Sequence, residues 1–260
     1  MIGLLAILFL QPTPWTESES EVSKSAFEIL HNLFKIFIDP DMILFTISFS
    51  YMGLGLSFWQ GVYGTCLGRT KLFENSKSLV GFHGIAMGCG EISGGLIFGI
   101  FGKYLNRFIG RSPRYLLGII AHMGAYLIAF LNIPFDCPIG ETNESAIIES
   151  NADLAIFGSF LLGSGDSILT TQIYTLIGIL YSGNSAPAFA IYKFFQSGLA
   201  ALGLFYSPSL ELQWQLLILL IFAVIGTISF IMVDINSKKR TKGHQFNKVT
   251  NKESENHVSS

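Results

Sequence analysis

Leu79–Arg114 reads LVGFHGIAMGCGEISGGLIFGIFGKYLNRFIGRSPR. From Leu79 to Phe101 the only charge is Glu91, and this is the length of helix that crosses a hydrocarbon core of roughly 30 Å. The run then meets Lys103, Arg107, Arg111 and Arg114 before the next apolar stretch. Short loops rich in Lys and Arg are retained on the cytoplasmic side. The connector is therefore expected inside, and the orientation of every neighbouring span follows from it.

Working outward, five further apolar stretches have span length at 1.5 Å per residue: Met42 to Val62, Ser112 to Leu131, Leu154 to Leu176, Ala186 to Tyr206 and Trp214 to Val233. The fold class expected is all-α membrane, with six transmembrane helices. Alternation places the loops Cys66 to Ser78 and Asn132 to Asp153 outside. The tail, opening with Lys238, Lys239, Arg240 and Lys242, falls inside, as the charge rule asks. Arg69, Lys71 and Lys77 in an outer loop run against that rule. Asn143-Glu144-Ser145 is a glycosylation sequon in the longest outer loop.

Composition agrees with a bilayer as solvent. The chain is 50% hydrophobic and only 13% charged, with a mean hydropathy of +0.50, against about 25% charged in soluble domains. Its basic residues flank apolar spans and do not form a face with interleaved aromatics, which excludes nucleic acid as a partner. Cys66, Cys89 and Cys137 are too few and too irregular for a disulfide framework or a zinc site. Cys66 and Cys137 share the outer side, where a bridge would persist, but free thiols are the expectation. No Walker A loop, nucleophile elbow, dinucleotide fingerprint or metal-ligand spacing is present, so neither an enzyme nor a cofactor is expected.

The domain plan is as follows. Residues 1–10 read as the end of a truncated transmembrane helix, and 11–40 as a cytoplasmic linker. In the linker Phe27, Leu30, Phe34 and Ile38 recur at helical spacing; that helix either lies on the membrane surface or packs on the protein. Residues 41–131 and 154–234 hold three spans each, separated by the outer loop 132–153, and 235–260 is a polar tail expected to be disordered. Triplets entering from opposite faces are inverted repeats, as in secondary transporters.

Gly102-Lys-Tyr-Leu-Asn106-Arg107-Phe-Ile-Gly110-Arg111 resembles the cytoplasmic signature of the major facilitator superfamily, a Gly, an acidic residue and an Arg followed by Gly-Arg between two helices. Asn106 stands where Asp is usual, and one extra residue precedes Gly110, which weakens a charge-based gating role. The phrases YMGLGLSFWQGVYG, LVGFHGIAMGCGEISGG and FLLGSGDSILTTQIYTLIG are similar to the C-terminal half of the Unc-93-like branch of that superfamily. The resemblance implies twelve helices in a complete member. It also implies either solute transport by alternating access or a non-transporting role in trafficking or channel regulation, with an inactive short form as a further outcome. The partners implied are the lipid bilayer, the missing six-helix half or another membrane protein, and a small-molecule substrate. Plasma and endolysosomal membranes fit equally.

An ionisable group inside the bilayer costs at least ~2.5 to 3.5 kcal/mol on insertion scales and marks function by default. Counted from the outer ends of their spans, Glu91 lies roughly 18 Å deep, Asp166 about 18 to 20 Å and Lys193 about 20 Å. A shared level suggests a polar cluster, with a carboxylate carrying a proton or binding substrate and Lys193 as counter-charge. The plainer alternative is a structural ion pair, or a lysine that snorkels to the interface. Gln196, Tyr51, Gln60, Gln172 and Tyr174 line a cavity or bond neighbouring helices. His83 lies near the outer end of its span and His122 midway along another; the superfamily's arrangement implies that the third helix of a triplet is peripheral, so His122 is expected to be a satisfied packing residue. Gly84–Gly88, Gly90–Gly94 and Gly95–Gly99 are small-residue pairs for close helix approach, and Gly163-Ser164-Gly165 is expected to loosen the helix beside Asp166.

Overall fold

The computed structural model describes residues 26–73, 75–100 and 110–258. Residues 1–10 and much of the basic connector, including Gly102, Asn106 and Arg107, lie outside them. No strand occurs among the described residues, which hold one isolated bridge, Thr70 with Thr142.

Helix α1, Ala26–Phe37, has Glu28 in its first turn and Lys35 in its last, each placed to complement the helix dipole. It packs on α7 (Ser185–Tyr206), with Phe37 stacked 6.0 Å from Phe195. Leu30, Phe34 and Ile38 remain more than half exposed, so the helix both packs on the protein and presents an apolar row outward. Helix α2, Pro40–Ser57, starts where the Asp39 carboxylate accepts the Asp41 N–H at 3.1 Å, and Pro40 occupies a first-turn position that needs no N–H. A π-helical turn, Phe58–Tyr63, continues into α3, Gly64–Arg69.

Helix α4, Ser76–Ile100, runs beside α6, Ala152–Leu180. Helix α5, Arg111–Asn132, covers another side of α6, while α2 packs between α7 and α8, Leu212–Val258. Five of these helical stretches are long and apolar enough to cross a membrane: Pro40–Arg69, Arg111–Asn132, Ala152–Leu180, Ser185–Ser209 and Leu212–Arg240. The expected sixth, α4, has the length at 25 residues but does not belong to that set among the described residues, which break off after Ile100.

Glycine explains how α4 and α6 meet. A Cβ on Gly163 would strike the Met87 carbonyl, and one on Gly90 would come 2.8 Å from Ser164 N. Gly94 faces the same neighbour, 2.9 Å from Ser164 O. The Gly90–Gly94 pair is thus a packing seam, whereas Gly84 and Gly88 meet nothing within 4 Å and take no part in one. Helix α6 stays continuous through Gly163-Ser164-Gly165. The expected loosening is absent because both glycines are used for helix contact, Gly163 against α4 and Gly165 against the His122 ring of α5.

One further expectation is corrected. Cys66 and Cys137 are bonded to each other, because the end of α3 that carries Cys66 and the loop that carries Cys137 are laid together by backbone bonds from Lys71 N to Thr142 O and from Thr142 N to Arg69 O; only Cys89 is free among the described residues. The polar tail continues as helix to Val258. An existing helix extends without a new nucleation cost, and the stretch after Val233 contains no proline and one glycine.

Candidate functional site

Helix α6 carries Asp166 about 14 residues from its start, roughly 21 Å along the axis. Its carboxylate is half-buried and lies within electrostatic reach of both Glu91 and Lys193. The glycine seam brings this about: Glu91 N sits 3.1 Å from the position of a Cβ on Gly163, three residues before Asp166. Glu91 and Lys193 are themselves exposed on the surface of the chain. None of the three takes part in a salt bridge among the described residues.

Lys193 instead finds neutral partners. Its Nζ donates to Gln196 Oε1 at 2.7 Å and stands 5.0 Å from the Tyr192 ring centre and 5.9 Å from that of Tyr174. Ring faces and an amide oxygen can hold an ammonium in place without neutralising it. Gln196 is buried and Gln60 is exposed; Gln60 lines an open groove of about 480 Å³ with Ser57, Ser197 and Ala201. Gln172 is fully buried, with neither side-chain polar atom bonded among the described residues.

Both buried histidines are satisfied, as expected of His122, which occupies a more connected place than spacing predicted. Its Nδ1 lies 2.7 Å from the Tyr51 hydroxyl and its Nε2 3.2 Å from the Leu162 carbonyl. Tyr51 in turn lies 3.3 Å from Tyr126 OH. His83 bonds Ser159 Oγ at 2.8 Å and the Trp59 carbonyl at 3.0 Å. That carbonyl belongs to the π-helical turn, the kind of local unwinding that recurs at functional sites. Nothing in the spacing of Tyr51, His122 and Tyr126 announces their meeting; the signal was that a histidine inside an apolar span needs partners.

At one end of the bundle, Arg111 Nε and Lys238 Nζ approach the two oxygens of the fully buried Asp234 at 2.7 and 2.6 Å. Ser112 Oγ donates to Asp234 at 2.7 Å. Arg240 pairs with Asp41 at 2.9 Å and Asp39 at 3.5 Å, and Asn236 Nδ2 donates to Asp41 at 2.9 Å. Burial, then the carboxylates of Asp39 and Asp41, hold Tyr181 above the ordinary tyrosine range. Gly110 is the N-cap of α5, so of the connector's signature Gly110 and Arg111 are placed against α8. At the other end Asn143 is exposed, directly after the bridged Thr142.

Helices of membrane length, packed through glycine seams around buried polar groups, define an integral, multi-pass, all-α membrane protein. The match of a family model makes the assignment narrower: the family described as "Ion channel regulatory protein UNC-93" covers residues 1–231, and the chain belongs to the UNC-93 family. It is 44% identical over 231 residues to the UNC93-like protein MFSD11 of Xenopus tropicalis, which covers 87% of this chain and 52% of that one. Over 220 residues it is 45% identical to the UNC93-like protein MFSD11 of Xenopus laevis, covering 83% and 49%. Protein unc-93 homolog A of Danio rerio is 27% identical over 250 residues, covering 92% and 49%. The chain spans about half the length of these curated relatives. No solved structure matches it.

Proposed function

We propose that the chain is a six-helix half of a secondary transporter, with α4 as the sixth span, working by alternating access when joined to a complementary six-helix half. Helices α2 with α3, α4 and α5 form one triplet and α6, α7 and α8 its inverted counterpart. Asp166 carries the proton, the coupling ion or a charged group of the substrate. Glu91 adds a second carboxylate and Lys193, steadied by Gln196, the counter-charge. The observation behind this reading is a half-buried carboxylate midway along a membrane-length helix, with two charged neighbours in reach and no salt bridge among the described residues. A charge kept in that setting without a fixed partner suits a group that binds and releases.

The end bearing Arg111 and Lys238 faces the cytosol on the charge rule, and the disulfide end faces an oxidising compartment, where Asn143 is open to glycosylation. The connector from Gly102 to Arg111, with Asn106, Arg107 and Gly110, is the gating segment, and Arg111 holds it to α8 through Asp234.

The test is reconstitution of the chain, and of a full-length relative such as the Xenopus laevis protein, in proteoliposomes, with proton flux followed across a panel of solutes. Solute-dependent flux that falls at least tenfold with Asp166→Asn supports the reading; flux indifferent to that substitution overturns it. A second reading, a non-transporting protein that regulates a channel or accompanies another membrane protein, draws support from the family's description. It predicts no flux from either form and altered current through a co-reconstituted channel. A short form without activity would show neither.

A further inference from the structure

Three buried hydrogen bonds have a direction fixed by one carbonyl. The Leu162 oxygen can only accept, so the His122 Nε2 that approaches it at 3.2 Å carries the hydrogen. In the neutral ring Nδ1 is then an acceptor, and the Tyr51 hydroxyl donates to it at 2.7 Å. The Tyr51 oxygen is left to accept from Tyr126, 3.3 Å away. This line joins α2 to α5, and its members are buried.

It also abuts Asp166. The His122 ring rests on Gly165, where a Cβ would come 2.7 Å from Nε2, and Asp166 is the next residue. The groups facing His122 are Tyr51 from α2, Trp59 from the π-helical turn at 5.0 Å between ring centres, Tyr126 from its own helix, and the Leu162 carbonyl from α6. Asp166 lies within electrostatic reach of both tyrosine hydroxyls.

Resting on the reading of Asp166 as a site that gains and loses charge, we infer that Tyr51, His122 and Tyr126 form a positioning element that senses that charge and passes it to the contact between α2 and α5. While Asp166 is ionised, the hydroxyl dipoles are drawn toward the carboxylate and the bond from Tyr51 to Nδ1 is weakened. Once a proton or a bound cation neutralises Asp166, Tyr51 turns back to Nδ1 and α2 is held to α5. Occupancy of the site is thereby tied to the arrangement of two helices that do not themselves carry it.

The imidazole nitrogens report this directly. The chain is labelled with ¹⁵N-histidine, placed in detergent micelles or nanodiscs, and followed by nitrogen NMR through a pH series, His122→Gln identifying the resonances. The expected result is a pH-dependent shift of Nδ1 in the wild type that is lost in Asp166→Asn, which keeps the hydrogen-bonded position throughout. The same movement in both proteins, or none in the wild type, overturns the inference. Tyr51→Phe gives a second reading should Asp166→Asn fail to fold: the shift is lost because the donor is gone, and its persistence overturns the proposal. Absence of solute flux with the shift intact would count against the transporter reading alone.

Discussion

The two ends of the bundle are closed by different kinds of bond. At the Cys66 end the main connections are covalent or run through the backbone: the disulfide to Cys137, the exchange between Lys71, Thr142 and Arg69, and Leu212 N donating to Phe135 O at 2.8 Å. Asn132 adds a reciprocal pair with the Asn151 backbone at 2.7 and 2.8 Å. At the Arg111 end every bond between helices described above is made by side chains, and most are ionic: Arg111 and Ser112 on Asp234, Arg240 on Asp39 and Asp41, Asn236 on Asp41. Backbone and disulfide links hold one arrangement. Side-chain ion pairs can exchange partners and weaken with salt. One end is stapled and the other latched.

Breaking the staple should have the largest effect. Cys66→Ser releases a constraint across 71 residues of sequence, worth up to about 4 kcal/mol by the loop-entropy relation. A bilayer keeps the unfolded helices formed, so the measured loss will fall below that ceiling. Thermal unfolding in detergent should show a lowered midpoint unaffected by salt between low and molar ionic strength. Breaking the latch comes next. Asp234→Asn leaves Arg111, with only 13% of its side chain exposed, facing a neutral group. Removing one partner of a buried pair costs ~3 to 5 kcal/mol; because Lys238 is 49% exposed and such pairs are screened, about 2 to 3 kcal/mol is expected here. The difference between wild type and Asp234→Asn should shrink as salt rises. Equal salt responses for the two variants would erase the distinction between the ends.

Much of this was legible in the sequence for a physical reason: hydrocarbon imposes length and apolarity on a helix, and both are visible residue by residue. Met42 to Val62, Ser112 to Leu131 and Trp214 to Val233 each lie inside a helix found in the structure. What one helix does to another was harder to read. Gly90 and Gly84 look alike in sequence, yet only Gly90 meets α6, because the choice depends on which face the neighbour approaches. The level shared by Glu91 and Asp166 followed from counting, while their proximity required the close approach that Gly163 permits. Lys193 taking Gln196 follows from helical spacing, three residues apart, but the Tyr174 ring coming to Lys193 from α6, and His122 reaching Tyr51 across 71 positions, had no local signature. The disulfide was readable as two cysteines on one side of the membrane, but the bond depends on loops paired through Thr70 and Thr142.

The smallest effect sharpens the contrast from the stapled side, which also contains an ion pair. Lys71 Nζ meets Glu141 at 2.9 Å, with side chains 53% and 67% exposed. The hydrogen bond from Lys71, then its charge, holds the Glu141 carboxyl below its ordinary value of 4.5. A lowered folded value means that the pair's contribution is fully present above pH 4.5 and disappears as pH falls through the folded value. Water screens a pair this open, so Glu141→Gln should leave the unfolding midpoint at neutral pH within measurement error. Any small difference from wild type should close as the pH drops below 4.5. The disulfide and backbone bonds beside it do not titrate in that range, so the stapled end should keep its hold through the same acid scan. A loss for Glu141→Gln as large as that for Cys66→Ser would mean that this end, too, is held by charge.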